Sequence, residues 1–281
     1  MIKHLSIGNQ HFDLSRSIVM GILNTTPDSF SDGGRFDLVE TAVAHALRME
    51  REGADIIDIG GESTRPGAQA VTVDEELERV IPVIRALRKQ TTIPISIDTS
   101  KPEVMQAAVE AGADMVNDVN ALQADGAIRT CVELGVPVCL MHMQGEPRTM
   151  QQDPQYDDVV RDVAGFLRQR TRACIDAGVD RDRIILDPGF GFGKTLRHNM
   201  QLLNGLDAIS GLELPVLVGL SRKSMLGAII DKPVDQRVYA SVAAAVIARG
   251  KGAHVFRVHD ISPTRDALAL CDALDNEQQN I

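Results

Sequence analysis

Short apolar runs alternate along the chain with longer segments whose apolar residues recur three or four positions apart. The runs are SIVMGIL (17–23), DIIDIG (55–60), PISID (94–98), DMVNDV (114–119), PVCLMH (137–142), RIILD (183–187), PVLVG (215–219) and HVFRV (254–258). They lack strict polar alternation, the pattern of strands covered on both faces in a parallel sheet. The segments between them read as amphipathic helices, such as 37–54, where Leu38, Val39, Ala42, Val43, Ala46, Leu47 and Met49 keep largely to one face. A second helix is expected over 74–90. Several such segments close on a glycine just before a strand: REGAD (51–55), EAGAD (110–114), ELGVP (133–137) and DAGVD (176–180). Each glycine suits a left-handed helix cap.

Eight strand–helix units predict a (β/α)8 barrel, an α/β fold of the TIM type. The alternative is a doubly wound open sheet, which usually has fewer strands and a fingerprint glycine turn after the first. The first twelve residues read as a short β-hairpin turning at Gly8-Asn9 and capping the barrel bottom. A long polar loop is expected over 143–154. No linker or low-complexity stretch divides the chain, so residues 1–281 are taken as one domain.

Composition narrows the functions. With 29 basic and 39 acidic side chains the net charge is −10, which disfavours nucleic-acid and anionic-membrane partners. Cys131, Cys139, Cys174 and Cys271 show no metal-ligand spacing and read as free thiols in a reducing compartment. No signal core or membrane-length apolar stretch is present, so a cytoplasmic location is expected.

One motif invites a wrong reading. DPGFGFGKT (187–195) ends like a phosphate-cradling nucleotide loop. That loop needs Gly, four residues, then Gly-Lys-Ser/Thr. Position 188 is Pro, and starting from Gly189 leaves one residue too few. Lys194 is therefore read as dispensable and Asp187 as the member that matters.

In a barrel of this type the active site lies at the C-terminal strand ends. There the chain places Asn24, then Thr64 and Arg65, then Asp98, Asn117, His142, Asp187, Lys223, and Arg257 with His259. Asp98, Asn117, Asp187 and Lys223 suit a flat heterocycle bearing a cyclic amide and an exocyclic amine, because a carboxylate accepts two parallel N–H bonds. The same four would also serve as an internal ionic network. Asn24, Arg65, Arg257 and His259 suit an anion or pyrophosphate, with a divalent ion, or stand as exposed basic residues. Asp118 and His142 read as braces.

The stretches MGILNTTPDSFSDGG (20–34), DIGGESTRPGA (58–68), IDTSKPEV (97–104), VNDV (116–119), MHMQGEPRTMQ (141–151), LDPGFGFGK (186–194), GLSRKSMLG (219–227) and RVHD (257–260) together closely resemble the bacterial dihydropteroate synthases, a family of pterin-binding enzymes. The resemblance spans nearly the whole chain, in order. It implies a transferase of folate biosynthesis that joins 6-hydroxymethyl-7,8-dihydropterin pyrophosphate to p-aminobenzoate by a dissociative substitution, and a sulfonamide target. It assigns Asp98, Asn117, Asp187 and Lys223 to the pterin. It assigns Asn24, Thr64, Arg65, Arg257 and His259 to the pyrophosphate, with Mg2+ at Asn24. Phe30, Pro66, Phe192 and Ser224 fall to p-aminobenzoate. Asp98, Lys223, Arg257 and His259 are the catalytic candidates. The resemblance further implies a homodimer. The two long loops, 25–36 and 61–71, are rich in Gly, Ser, Thr and Pro and are expected to be mobile without ligand and to close over the pyrophosphate. Two other readings stand beside it: a folate-to-corrinoid methyltransferase, which would lack the NTTPDSFSDGG loop and the Arg257–His259 pair, and a pterin-binding paralogue without synthase activity.

Overall fold

A computed structural model describes residues 3–25, 35–63, 67–146 and 148–279. The chain opens with an antiparallel hairpin, β1 (His4–Ile7) on β2 (Gln10–Asp13), turned at Gly8 with φ +57°. Eight parallel strands follow: β3 (Ile18–Asn24), β4 (Ile56–Gly60), β5 (Ile95–Asp98), β6 (Met115–Asp118), β7 (Val138–Met141), β8 (Ile184–Asp187), β9 (Leu217–Val218) and β10 (Val255–Val258). Their order is β8-β7-β6-β5-β4-β3-β10-β9. A bridge between Leu186 and Val216 joins the two ends and closes the barrel, which sets aside the open-sheet alternative. All eight expected strands are present, although the seventh is only two residues long.

Ten helices pack outside among the described residues: α1 (Arg35–Arg51), α2 (Val73–Arg88), α3 (Pro102–Ala111), α4 (Ala127–Leu134), α5 (Val159–Asp176), α6 (Leu196–Asn204), α7 (Asp207–Ser210), α8 (Ser224–Ile230), α9 (Val238–Arg249) and α10 (Ile261–Gln279). Helix α2 starts at a reciprocal Thr72–Glu75 cap, two orphan donors satisfied at once. Gly53, Gly112, Gly135 and Gly178 all have positive φ, as the sequence predicts.

The strands carry two separate apolar faces. Outward residues such as Ile57, Ile97 and Val116 pack with the helices. Inward residues Met20, Ile56, Met115, Cys139, Ile185, Leu217 and Val255 form a second core, closed from below by Leu5 and Ile7 of the hairpin. That double coverage is why the strands read as unbroken apolar runs. The apolar filling occupies only the lower interior, and the upper layer is polar. No helix among the described residues is long and apolar enough to cross a membrane.

Candidate active site

Strand register brings the polar ends together. Asn24 pairs with Gly60, Gly60 with Asp98, and Asp98 with Asn117, so these are successive neighbours around the barrel rim. Asp187 ends β8 beside Met141. One step lower on β4, Asp58 points to the same interior face, fully buried. Arg257 on β10 reaches across the mouth: Nε donates to Asp58 Oδ2 at 2.6 Å and Nη2 to Asp98 Oδ2 at 2.7 Å. Asn117 Nδ2 donates to the same Asp58 oxygen at 3.1 Å.

The opposite wall is built by Asp187, Lys223 and the loop that follows β8. Gly189 N donates to Asp187 Oδ1 at 2.7 Å, and Lys223 Nζ donates to the Phe190 carbonyl. The Lys223 ammonium lies 4.7 Å from the Phe192 ring centroid. Glycine is required here: a Cβ at Gly189, where φ is +67°, would stand 1.9 Å from the His142 carbonyl oxygen. Gly191 likewise leaves room for the Lys223 stem.

Lys223 is aimed by a strained turn. Arg222 adopts φ +57°, unusual for a side chain other than glycine. Its Nε donates to Asp260 Oδ2 at 2.9 Å, and its backbone N–H to Ser241 Oγ at 2.9 Å. Ser221 Oγ lies 3.0 Å from His259 Nδ1 and accepts from His259 N at 3.2 Å. The SRKS and RVHD turns are thereby stitched together residue by residue.

Burial governs the charges. It pushes the Asp98 carboxyl up to about 7; Arg257 opposes this, while Asp58, Glu76 and Asp118 add to it. Asp187 is also raised by burial, with Lys223 as the main opposing charge. Lys223 is pulled down to about 8 by burial, against Asp187 and with help from Arg257. The mouth therefore holds one carboxyl, Asp98, raised to about 7 and one ammonium, Lys223, lowered to about 8, beside an Asp187 carboxyl that burial also raises; perturbed titratable groups of this kind cluster at functional sites.

The expected pterin set does converge. Arg257, grouped on sequence with Asn24 and His259, is packed instead against Asp58 and Asp98, so the two clusters share a member. His259 is held apart by Ser221, and Asn24 stands at the rim next to Gly60. Phe192 and Ser224 flank Lys223. Phe30, Thr64, Arg65 and Pro66 lie outside the described residues, as does most of the loop 25–36. Asp118 braces: it accepts from Ser100 Oγ at 2.6 Å, Asn120 N at 2.7 Å and Leu122 N at 2.7 Å.

Lys194 corrects the reading from sequence. It is not dispensable: it is 3% exposed, and Nζ donates to the carbonyls of Gly189 at 2.8 Å and Phe192 at 3.0 Å. The neighbouring Thr195 caps α6, its hydroxyl accepting from His198 N at 3.1 Å. Gly193, with φ +61°, lies so close to Gln144 that a Cβ would stand 2.3 Å from its carbonyl oxygen. Gly-Lys-Thr here is a structural staple. Asp58, Ser221, Arg222 and Asp260 were also missed. Asp58 carries the one usable signal, an acid inside an apolar strand run.

Residues 20–259 match the family described as pterin binding enzyme. Dihydropteroate synthase of Haemophilus influenzae is 52% identical, over 97% of this chain and 99% of that protein. A dihydropteroate synthase structure from Xanthomonas albilineans with 4-aminobenzoic acid superposes with a TM-score of 0.92 at 52% identity, covering 98% of each chain. A Yersinia pestis dihydropteroate synthase in complex with a sulfonamide drug also gives 0.92, at 49% identity over 97% of this chain and 99% of that one.

Proposed function

The chain belongs to the dihydropteroate synthases among the pterin-binding enzymes, and from that premise we propose how its own residues divide the reaction. The enzyme is a transferase: it condenses 6-hydroxymethyl-7,8-dihydropterin pyrophosphate with p-aminobenzoate, giving 7,8-dihydropteroate and pyrophosphate. The observation that carries the assignment of roles is the convergence of Asp98, Asn117, Asp187 and Lys223 on one barrel mouth.

Asp187 takes the amide and amine edge of the pterin; its Oδ1 accepts from Gly189 N and keeps a lone pair for a second donor. Lys223, already within reach of a carbonyl oxygen, donates to ring acceptors. The bond from the methylene carbon to the pyrophosphate oxygen breaks with its electron pair leaving on oxygen. Positive charge spreads from the carbon into the electron-rich ring. Buried carboxylates, Asp98 foremost, favour that charge. The neutral aniline nitrogen then forms the new C–N bond and loses its proton to the departing pyrophosphate or to water. No covalent enzyme intermediate is needed, and all four thiols are buried or half-buried, with no role in the mouth. Phe192 supplies an apolar wall for the benzoate ring, with Phe30, Pro66 and Ser224 completing that pocket. Sulfonamides, which share the ring and amine, would compete there.

Arg257, His259, Asn24, Thr64 and Arg65 are assigned to the pyrophosphate. Asn24 offers a hard amide oxygen at the rim, the donor class that suits Mg2+, which is commonly held by one or two protein oxygens and the substrate phosphates. The ion would neutralise charge on the leaving group. We also propose a homodimer. Ile229, Tyr239, Ile247, Leu270 and Leu274 are exposed apolar side chains on the neighbouring helices α8, α9 and α10, a surface that suits a second copy. The free thiols suit a reducing compartment, in keeping with a cytoplasmic enzyme.

The test is direct. Purified protein with both substrates and Mg2+ should form dihydropteroate; folded protein that forms none would overturn the reading.

A further inference from the structure

We infer that Asp58 is a positioning residue of this active site, one that fixes which end of the Asn117 amide faces the pterin and holds the Arg257 guanidinium against Asp98. This rests on the pterin assignment above. Asp58 is fully buried inside the barrel mouth, one step below the rim. Its Oδ2 accepts from both Arg257 Nε and Asn117 Nδ2, while Oδ1 is buried without a hydrogen-bond partner among the described residues. Among the described residues its charge is thus answered by these two side chains.

The consequence for Asn117 follows from donor and acceptor chemistry. A carboxylate only accepts, so the amide group turned toward it must be the NH2. The Asn117 carbonyl is then left to face the pocket as an acceptor. The side chain that could read a ligand in either polarity is locked to reading N–H groups, which a pterin presents and a ring of acceptors does not. Such locking raises selectivity because a ligand lacking the donor leaves a buried carbonyl unpaired.

The consequence for Arg257 is geometric. A guanidinium is a planar fork, so fixing Nε on Asp58 sets where Nη2 points, which is Asp98 Oδ2. Asp58 thereby controls the charge around Asp98. The groups facing Asp98 are Arg257 from β10, Asp58 from β4, Glu76 from α2 and Asp118 from β6.

Asp58→Asn keeps the shape and removes the charge. With wild-type enzyme making dihydropteroate, the variant should lose kcat/KM for the pterin substrate by on the order of 10- to 100-fold, as partners behind a binding group typically do. KM for p-aminobenzoate should stay near wild type. The acid limb of the pH profile should move, because the variant removes the Asp58 charge that raises Asp98 and loosens the Arg257 guanidinium that lowers it. Unchanged pterin kinetics together with an unmoved acid limb would overturn the role, as would equal losses for both substrates. If wild type forms no product, the functional reading fails instead and Asp58 is then judged by the spectroscopic arm. That arm also serves if the variant does not fold. In wild-type protein labelled with 15N asparagine, the Asn117 side-chain NH2, assigned by its loss in Asn117→Asp, should exchange slowly with solvent. It should also shift little when 6-hydroxymethylpterin is added. Fast exchange, or a large shift on pterin addition, would contradict an amide pinned to Asp58.

Discussion

The Lys194 ammonium nitrogen lies 3.0 Å from His142 Nδ1, in a pocket that water scarcely reaches. Four ring and carbonyl acceptors surround it: His142 Nδ1 and the carbonyls of Gly189 and Phe192 within 3.0 Å, and the His142 carbonyl at 3.4 Å. Burial nevertheless pulls its pKa well below the ordinary lysine value, and burial together with Lys194 holds His142 down to about 3. The pair ties the end of β7 to the loop that follows Asp187 and carries Phe192.

Lys194→Met removes the donors and leaves the Phe192 carbonyl and His142 Nδ1 without the partner Lys194 gives them, while the Gly189 carbonyl keeps the Phe192 N–H. Stability should fall by about 3 kcal/mol, since each orphaned group costs roughly 1–3 kcal/mol. The p-aminobenzoate KM should rise, because Phe192 loses its anchor. The sign of the pH effect is also set. With a lowered pKa, the native state binds fewer protons than the unfolded chain up to about 10.5. Wild-type stability relative to the variant should therefore rise with pH across that window. Denaturant midpoints at several pH values check both statements; an unchanged midpoint would restore the view that Lys194 is dispensable.

Catalysis should follow a bell-shaped pH profile. In the proposed mechanism Asp98 must be ionised to favour the cation, and its carboxyl is held up to about 7. Lys223 must carry its proton, and it is pulled down to about 8. The free enzyme's kcat/KM for the pterin substrate should rise through the first value and fall through the second. A flat profile from pH 5 to 9 would remove both residues from the mechanism.

Lys223→Ala should weaken pterin binding by on the order of 10- to 100-fold, the worth of a hydrogen bond from a charged donor. Calorimetry with 6-hydroxymethylpterin reads this directly. Near-normal affinity would contradict the placement.

Gly189→Ala tests the turn after β8. The added methyl would meet the His142 carbonyl in a backbone conformation that side chains resist. A loss of at least about 2 kcal/mol in stability is expected, together with loss of synthase activity, because Asp187 is held through Gly189 N. Thermal unfolding and the synthase assay measure the two effects.

Charge placed on the apolar helix surface should break the proposed dimer. Ile247→Asp with Leu270→Asp changes two exposed side chains that are not among those assigned to the mouth. Light scattering should report monomers for the variant and dimers for the wild type. Monomers in both would remove the dimer proposal.

Much of this protein is legible in one dimension. The eight barrel strands follow from their apolar runs, because a strand covered on both faces needs no polar alternation. The glycines at 53, 112, 135 and 178 announced helix ends, because little else tolerates positive φ there. Asp98, Asn117 and Asp187 stood out as polar residues closing such runs. Tertiary structure alone decided what each charge touches. Arg257 could serve an anion or an acid until strand register laid it across Asp58 and Asp98. Lys194 looked like the active member of a nucleotide loop, or like surplus once the spacing failed. Only folding showed it enclosed by carbonyls from 189 and 192 and by a ring from 142. A sequence records which groups are present in local order; the environment that fixes their charge and direction is assembled from residues far apart along the chain.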